Sequence, residues 1–238
     1  YGKIADPLRE QAIKAPSAEV PEQYATDDGM LLFPPEDGSK VAVKRGPNIG
    51  EPPKGDPMPK TLTGEVAIKV GDKITTDHIM PAGPRLKFRS NIPVYANYVF
   101  EHVDPTFAGR CLANKQKGIP NVIVAGLSYG QGSSREHAAI CPMYLGVKAV
   151  IARSIERIHQ ANLCNFGIVP LTFQNEEDYQ AISQGDQIEI ADLYGGVKSG
   201  KVELQDLTNG KTIILDCITS TEQKEMLFAG GLLNLLKK

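Results

Sequence analysis

The run Ser128–Ala139, SYGQGSSREHAA, combines the residue types best suited to chemistry in this sequence. Gly126, Gly130 and Gly132 let the backbone turn tightly and approach a ligand closely, because glycine has no Cβ atom. The run lies between a predicted buried strand and a predicted helix, where free N–H groups and the helix dipole favour an anion. Arg135 adds a fixed charge that can hold a carboxylate through two hydrogen bonds. These residues indicate an anion site that contains a serine hydroxyl.

The same run also fits a purely structural interpretation. Residues 133–136, Ser-Ser-Arg-Glu, match the capping box S-x-x-E, in which the serine caps a helix and the glutamate reaches back to it. Glycine-rich turns before capped helices are common. The residues alone therefore leave a capped helix and an anion site both open.

The elements that would position this loop follow an α/β alternation from Gly64 onward. Apolar or alternating runs predict strands at Glu65–Val70, Asn121–Ala125, Lys148–Ala152 and Gly167–Phe173. Pro170 in the last of these indicates an edge or a bend. Helices are predicted at Ser134–Leu145 and Ser154–Asn165, each beginning with a serine that can serve as an N-cap.

The C-terminal part of the chain is predicted to form short alternating strands followed by a helix. The strands are predicted at Gln187–Ile190, Lys201–Leu204 and Lys211–Leu215. Turn signals separate them at Gly195-Gly196 and Asn209-Gly210. The final helix, Thr221–Leu236, is weakened by Gly230-Gly231.

The N-terminal quarter has a different composition. Ten of the 17 prolines fall within the first 60 residues, which disfavours long helices and central strands. We expect residues 1–60 to form an extended arm, with one short helix near Pro7–Lys14 and one short strand around Gly38–Lys44. Residues 61–238 would then form a single domain.

Composition narrows the class of partner. The formal net charge is −2 and no stripe of lysine and arginine appears, so nucleic acid and an anionic membrane are disfavoured as main partners. No apolar run approaches the roughly 18–20 residues needed to cross a bilayer. The chain begins at Tyr1 rather than Met, and we interpret it as a fragment or a processed part of something longer.

The cysteines do not form a recognisable ligand set. Cys111, Cys141, Cys164 and Cys217 lie far apart, and no C-x-x-C spacing occurs. A zinc ion or an iron–sulfur cluster held by this chain alone is therefore not expected. The cysteine pattern predicts reduced, mostly buried thiols in a cytoplasmic-type compartment.

Four collinear segments resemble the aconitase superfamily. The run YGQGSSREHAA is similar to that family's signature loop, and Thr75–Gly83 (TTDHIMPAG) resembles its TTDHIxxAG segment. Leu86–Arg89 (LKFR) resembles the loop that follows it. The segments Arg153–Leu163 and Gly167–Phe173 resemble the family's next helix and strand. The resemblance covers about residues 64–173, and more loosely the proline-rich arm.

The resemblance implies a role for particular residues in a hydro-lyase of the aconitate hydratase type, which interconverts citrate and isocitrate through cis-aconitate. Ser133 is implied as the base that removes a carbon-bound proton, and the backbone N–H of Ser134 as a group that helps to hold an oxyanion. Arg135 and Arg89 are implied to bind substrate carboxylates. Asp77 is implied to lie near the substrate.

The resemblance also implies a fold, a cofactor and partners. The fold is α/β: a swivelling three-layer β/β/α domain with a mixed sheet, preceded by the arm. Departure of the hydroxyl needs a Lewis acid, which the family supplies as a 4Fe–4S cluster. The other aconitase domains, fused upstream or in a separate subunit, would bind the cluster. The location would be cytoplasmic, or the mitochondrial matrix in a eukaryote.

Other residues near these motifs have weaker functional signals. His78 lies beside an aspartate, where a histidine is more often a structural hydrogen-bonding group. His137 and His159 lie on predicted helices, and we expect structural roles for both. Arg153 fits either the site or a solvated strand end.

Two departures from the family pattern affect the choice of substrate. Met80-Pro81 replaces a common serine-alanine, and Met143 stands where arginine is common. They suggest a divergent, prokaryotic branch.

Alternative functions are another hydro-lyase of the superfamily, such as isopropylmalate isomerase or homoaconitase, and a non-catalytic module that binds carboxylates or RNA. Arg89 favours a substrate with a carboxylate rather than an alkyl group at that position.

Overall fold

The apolar and alternating runs of the sequence form a mixed sheet that closes on itself. The computed structural model describes residues 2, 4–10 and 13–237. The strands of this part of the chain are β1 (Leu62–Val70), β2 (Asn121–Ala125), β3 (Val147–Ala152), β4 (Val169–Phe173), β5 (Gln187–Ile190), β6 (Lys201–Asp206) and β7 (Thr212–Asp216). Their order around the barrel is β1-β2-β3-β4-β7-β6-β5, and β5 pairs with β1.

The barrel has a parallel half and an antiparallel half. Strands β1 to β4 are parallel neighbours, whereas β4, β7, β6, β5 and β1 are joined by antiparallel pairs. The pairing of Leu62 with Ile190 closes the barrel. Pro170 lies where β4 pairs with β3, and β7 joins β4 only at Thr172 and Phe173. Strand β4 has a neighbour on each side, so the predicted edge position is wrong, but Pro170 itself has no pairing partner on the β7 side.

All the strands contribute to the core inside the barrel. Alternate residues of β2 and β3, such as Val122 and Ile151, belong to it together with Ile188, Leu204 and Ile213 from the antiparallel half. Each of these side chains is fully buried. The barrel interior is thus a packed apolar core of large aliphatic residues.

A second core covers the outer face of the parallel half. The intervening residues of the same strands, including Ile123 and Val150, pack there against residues of the helices, such as Phe107, Ala139 and Leu163. On β6 and β7 the corresponding outward residues are mostly exposed. The order of layers is antiparallel strands, parallel strands and helices, which confirms the α/β class and the β/β/α arrangement with a mixed sheet.

The helices of the described chain are mostly short. They are α1 (Pro7–Glu10), α2 (Thr76–Ile79), α3 (Ile92–Tyr95), α4 (Phe107–Gln116), α5 (His137–Tyr144), α6 (Arg157–Asn165), α7 (Leu193–Ser199), α8 (Thr221–Ala229) and α9 (Leu232–Leu235). Turns of 3-10 helix occur at Gly83–Phe88, Ala96–Tyr98 and Glu176–Ala181. No helix of the described residues is long and apolar enough to span a bilayer.

Two sequence predictions for the helices are wrong. The predicted turn at Gly195-Gly196 lies inside α7, because the side chain of Asp192 accepts a hydrogen bond from Gly195 N and starts a helix there. The predicted serine caps of α5 and α6 do not form, since the N-cap residues are Glu136 and Glu156.

The predictions for the C-terminal tail agree better. The final helix is interrupted where its glycines predicted weakness, and Gly230 ends α8 in the left-handed conformation. Residues 207–209 form the predicted turn between β6 and β7.

The chain divides into two units, Tyr1–Lys44 and Arg45–Lys238. In the first, the predicted helix is confirmed only as α1, and residues 11 and 12 of the predicted range lie outside the described residues. The predicted strand at Gly38–Lys44 is wrong, since these residues contain a turn and no strand. Residues 45–60, expected to belong to the arm, lie in the second unit without regular structure. The domain boundary after residue 60 stays a prediction.

Candidate active site

The loop that follows β2, residues 126–136, lies between the segments that follow β1 and β3. Because β1, β2 and β3 are parallel, all three segments emerge at one edge of the sheet. On one side, Thr76 N donates to Gln131 O at 2.9 Å. On the other, Tyr129 N donates to Ser154 O at 3.0 Å. The loop is therefore held by backbone hydrogen bonds on both sides.

Two glycines of this loop are required by close approach. Gly130 has φ of +83°, and a Cβ atom there would lie 2.2 Å from the ring of His159. At Gly126 a Cβ would lie 2.1 Å from the carboxylate of Asp72. The glycines thus let the loop pack against its neighbours, as the sequence predicts.

Ser133 and Ser134 are exposed, and their hydroxyls have no hydrogen-bond partner among the described residues. The predicted capping box of Ser133 and Glu136 is wrong, because α5 begins only at His137 and its N-cap makes no side-chain bond. Arg135 N instead donates to Ser133 O at 2.7 Å, which turns the chain before the helix starts. Ser133 and Ser134 therefore precede the helix start at which the sequence predicts an anion site, and the N–H of Ser134 has no acceptor in the described chain.

The Arg135 side chain is oriented by two acceptors. Its Nη1 donates to Asp77 Oδ1 at 2.6 Å and to Met80 O at 2.8 Å. The guanidinium is 16% exposed, while Asp77 is 61% exposed. Atoms Nε and Nη2 have no partner within residues 2, 4–10 and 13–237. The guanidinium therefore keeps one edge available for a bidentate carboxylate.

His78 has a structural role in the segment that carries Asp77. Thr75 N donates to His78 Nδ1 at 3.0 Å, and His78 N donates to Thr75 Oγ1 at 3.1 Å. This reciprocal capping box starts α2. Since Nδ1 accepts a hydrogen bond, a neutral His78 carries its proton on Nε2. The arrangement agrees with the structural interpretation of His78.

Arg89 is tied to the start of α5 through its backbone. Its carbonyl lies 2.9 Å from His137 Nε2, which must donate because a carbonyl oxygen can only accept. The His137 ring packs edge-on against Tyr95, whose hydroxyl donates to Pro81 O at 2.8 Å. The guanidinium of Arg89 is exposed and, in the described part of the chain, unpaired. The structure thus joins the Arg89 segment to the helix that follows the loop.

Three buried polar side chains beneath the loop were not singled out for the site from the sequence. Within the described residues, the Tyr129 hydroxyl, Thr76 Oγ1 and both ring nitrogens of His159 have no hydrogen-bond partner. Burial raises the pKa of Tyr129 and lowers the pKa of His159 to about 4. Sequence spacing does not report such contacts. The order of β3 and α6 indicates only that the start of α6, which carries His159, lies at the same edge of the sheet as the loop.

Arg153 belongs to the strand end rather than to the loop. Its guanidinium pairs with Glu176 and lies 4.0 Å from Asp72. A cavity of about 440 Å³ lies near Lys115 and Lys148, at the amino ends of β2 and β3. That cavity is at the opposite edge of the sheet from the loop.

The cysteines are buried in two separate cores. Cys111 and Cys141 lie outside the barrel, whereas Cys164 and Cys217 lie in the barrel core. Burial raises the pKa of the Cys111 and Cys164 thiols to about 12 and raises that of Cys141 and Cys217. Protonated, divided thiols do not fit the ligand set of an iron–sulfur cluster. Among the described residues no group of three or more histidine, cysteine, aspartate or glutamate side chains is placed to hold a metal ion.

Comparison with known proteins assigns the family. A profile described as the aconitase C-terminal domain matches residues 72–176. The chain is 37% identical over 210 residues to a putative mitochondrial aconitate hydratase of Aspergillus fumigatus, covering 76% of this chain and 26% of that protein. It is 31% identical over 243 residues to the mitochondrial homocitrate dehydratase of Saccharomyces cerevisiae, covering 90% and 31%.

A solved structure agrees with these sequence relatives. The 3-isopropylmalate dehydratase (leuD) of Methanocaldococcus jannaschii matches with a TM-score of 0.58 and 35% identity, over 74% of this chain and 93% of that one. The chain spans about a third or less of the length of the curated relatives named above. The chain belongs to the aconitase superfamily and corresponds to the C-terminal swivel domain of that family.

Proposed function

We propose that this domain belongs to an aconitate hydratase, which interconverts citrate and isocitrate through cis-aconitate. The observation that carries the proposal is the geometry of Arg135. Asp77 and Met80 hold its guanidinium in place, and its free edge lies in the same loop as two unpartnered serine hydroxyls. A carboxylate and a reacting carbon–hydrogen bond on one small substrate would need this combination.

Ser133 is the proposed base. A serine hydroxyl is a poor base in water, and its alkoxide becomes accessible only where nearby N–H groups and a cation stabilise it. The proton to be removed lies next to a carboxylate, so negative charge builds on that carboxylate as the proton leaves. The Arg135 guanidinium and the free N–H of Ser134 are the groups proposed to meet this charge.

Asp77 and Arg89 have supporting roles in this proposal. The Asp77 carboxylate faces Arg135 and would fix the plane of its guanidinium, which places Asp77 near the substrate without a proton-transfer step of its own. Arg89, exposed and unpaired in the described chain, would bind a further carboxylate.

The remaining parts of the enzyme would complete the site. The aconitase family binds a 4Fe–4S cluster, which supplies the Lewis acid for departure of the hydroxyl. The cysteines of this chain do not fit that cluster, so we propose that other aconitase domains, in the same chain or in a partner subunit, bind it. The chain alone should therefore show no hydratase turnover. Relatives named as mitochondrial favour the mitochondrial matrix if the source is a eukaryote.

A second candidate is another hydro-lyase of the superfamily. It is favoured by the similarity to homocitrate dehydratase and to 3-isopropylmalate dehydratase. Citrate and isopropylmalate differ in whether Arg89 would meet a carboxylate or an alkyl group, whereas homocitrate keeps three carboxylates and differs from citrate in the length of one arm.

The test measures kcat/KM for citrate, homocitrate and isopropylmalate with the complete, cluster-loaded enzyme that contains this domain. We expect citrate to be preferred. Arg89→Leu should lower kcat/KM for citrate by roughly 100-fold, about 3 kcal/mol, because one carboxylate loses its charged partner. A preference for isopropylmalate, unchanged by Arg89→Leu, would overturn the assignment.

A further inference from the structure

A cleft of about 200 Å³ separates the loop of residues 126–136 from the start of α6. Ser133 and Ser134 lie on one side. The other side is formed by the first residues of α6, with its N-cap. Its lining includes Glu156, Arg157, His159 and Asn162. The cleft therefore opens beside the proposed base.

The start of α6 presents unpaired N–H groups. The first hydrogen bond of this nine-residue helix runs from Gln160 N to Glu156 O at 2.8 Å. The N–H groups of residues 157, 158 and 159 have no acceptor in the described chain, and the Glu156 side chain makes no cap bond. Free N–H groups and the helix dipole together favour a negatively charged group.

His159 is the independent sign of a ligand. It is 2% exposed, yet neither ring nitrogen has a hydrogen-bond partner in the part of the chain that the structure describes. The ring is fixed by an edge-on contact with Tyr129, with ring centroids 5.2 Å apart, and by contact with Gly130. Buried polar atoms are nearly always paired in folded proteins. A hydrogen-bond acceptor bound in the cleft would pair the N–H of the neutral imidazole.

The charges that face the cleft are one of each sign. Arg157 is exposed and Glu156 half-buried, and neither forms an ion pair within the described residues. The Asn162 amide adds a neutral donor. Because the two side-chain charges are opposite and equal, the positive end of the helix dipole makes the cleft favour an anion.

We propose that this cleft is a carboxylate subsite, formed by the start of α6, Arg157 and His159. The identity of its natural occupant, a carboxylate arm of the substrate beside Ser133, rests on the proposed function. The subsite itself is a property of the chain and is measurable without turnover.

The experiment titrates propane-1,2,3-tricarboxylate into the ¹⁵N-labelled chain and follows its NMR spectrum. This probe carries three carboxylates and has no hydroxyl to eliminate. We expect saturable shifts of the backbone N–H signals of residues 157–159 and of the His159 ring nitrogens. Arg157→Gln should weaken binding about tenfold. Glu156→Gln should tighten it severalfold, because the opposing charge is removed.

Lys117→Gln is the matched control. It also removes one positive charge, but Lys117 ends α4 near the amino end of β2, at the opposite edge of the sheet. It should leave the dissociation constant within about twofold. His159→Phe keeps an aromatic ring against Tyr129 and should weaken binding severalfold, which separates loss of a donor from loss of packing.

The outcomes separate the subsite from the proposed function. Shifts confined to the surroundings of Arg89 and Arg135, unaffected by Arg157→Gln, would overturn the subsite, and so would an absence of binding. Saturable shifts at α6 together with a complete enzyme inactive on citrate, homocitrate and isopropylmalate would support the subsite and overturn the proposed function.

Discussion

Replacing His159 by phenylalanine should make the domain less sensitive to acid. The imidazole is buried against Tyr129 and Gly130, and burial lowers its pKa from 6.5 to about 4. In the unfolded chain the same group takes up a proton near pH 6.5. The stabilising effect of a neutral His159 is therefore fully present above pH 6.5 and is lost as the pH falls through about 4.

The size of the effect follows from the difference between the two pKa values. A pKa change of one unit corresponds to about 1.4 kcal/mol, so the span from 6.5 to about 4 corresponds to about 3 kcal/mol. Phenylalanine keeps the ring contact but takes up no proton. The difference in unfolding free energy, variant minus wild type, should rise by about 3 kcal/mol between pH 7.5 and pH 4.

Urea denaturation of both chains at several pH values from 7.5 to 4 measures this difference. Groups common to both chains cancel in the subtraction. A constant difference for His159→Phe would refute the claim that this histidine is buried in its neutral form.

Three further predictions concern the loop. Ser133→Ala should leave the melting temperature unchanged within about 1 °C, since the hydroxyl makes no bond in the described chain. The same variant should lower kcat of the complete enzyme at least about 100-fold. A fall in kcat of less than threefold would show that Ser133 is not the base. Asp77→Asn should lower kcat/KM for citrate about fivefold, because it loosens Arg135. The same substitution made in the Arg135→Lys background should have a smaller effect, and an equal fivefold loss there would show that Asp77 does not act through Arg135. Gly130→Ala should cost about 2 kcal/mol or more in urea denaturation, whereas Gly71→Ala, with open space around it, should cost about 0.5 kcal/mol or less.

The strands were predictable because their signal is local. The run Asn121–Ala125 is apolar throughout and forms β2 with the predicted bounds, and β5 likewise matches its alternating pattern. Closure of the barrel was not predictable, since the pairing of Leu62 with Ile190 depends on residues far apart in the chain. The missed α4 carries a glycine and many polar residues, which obscured its helical period.

The site was predictable where a motif names the residues and not where packing decides. The loop motif and the TTDH segment are brought together by the ion pair of Arg135 and Asp77. The capping box failed because a tight turn at Ser133–Arg135 uses the backbone that a helix would need. The cleft beside α6 depends on which helix start faces which loop, and no spacing in the sequence encodes that.

Closure of the barrel has a consequence for the order of folding. Strand β1 can bond its second neighbour only after β5 has been made, 125 residues later along the chain from Leu62 to Gln187. Contacts so distant in sequence are slow to form, because the loop entropy is lost before the contact stabilises anything. During synthesis the parallel half would wait with its apolar inner face uncovered until β5, β6 and β7 appear. The last quarter of the chain thus controls when the residues around Ser133 acquire a rigid support.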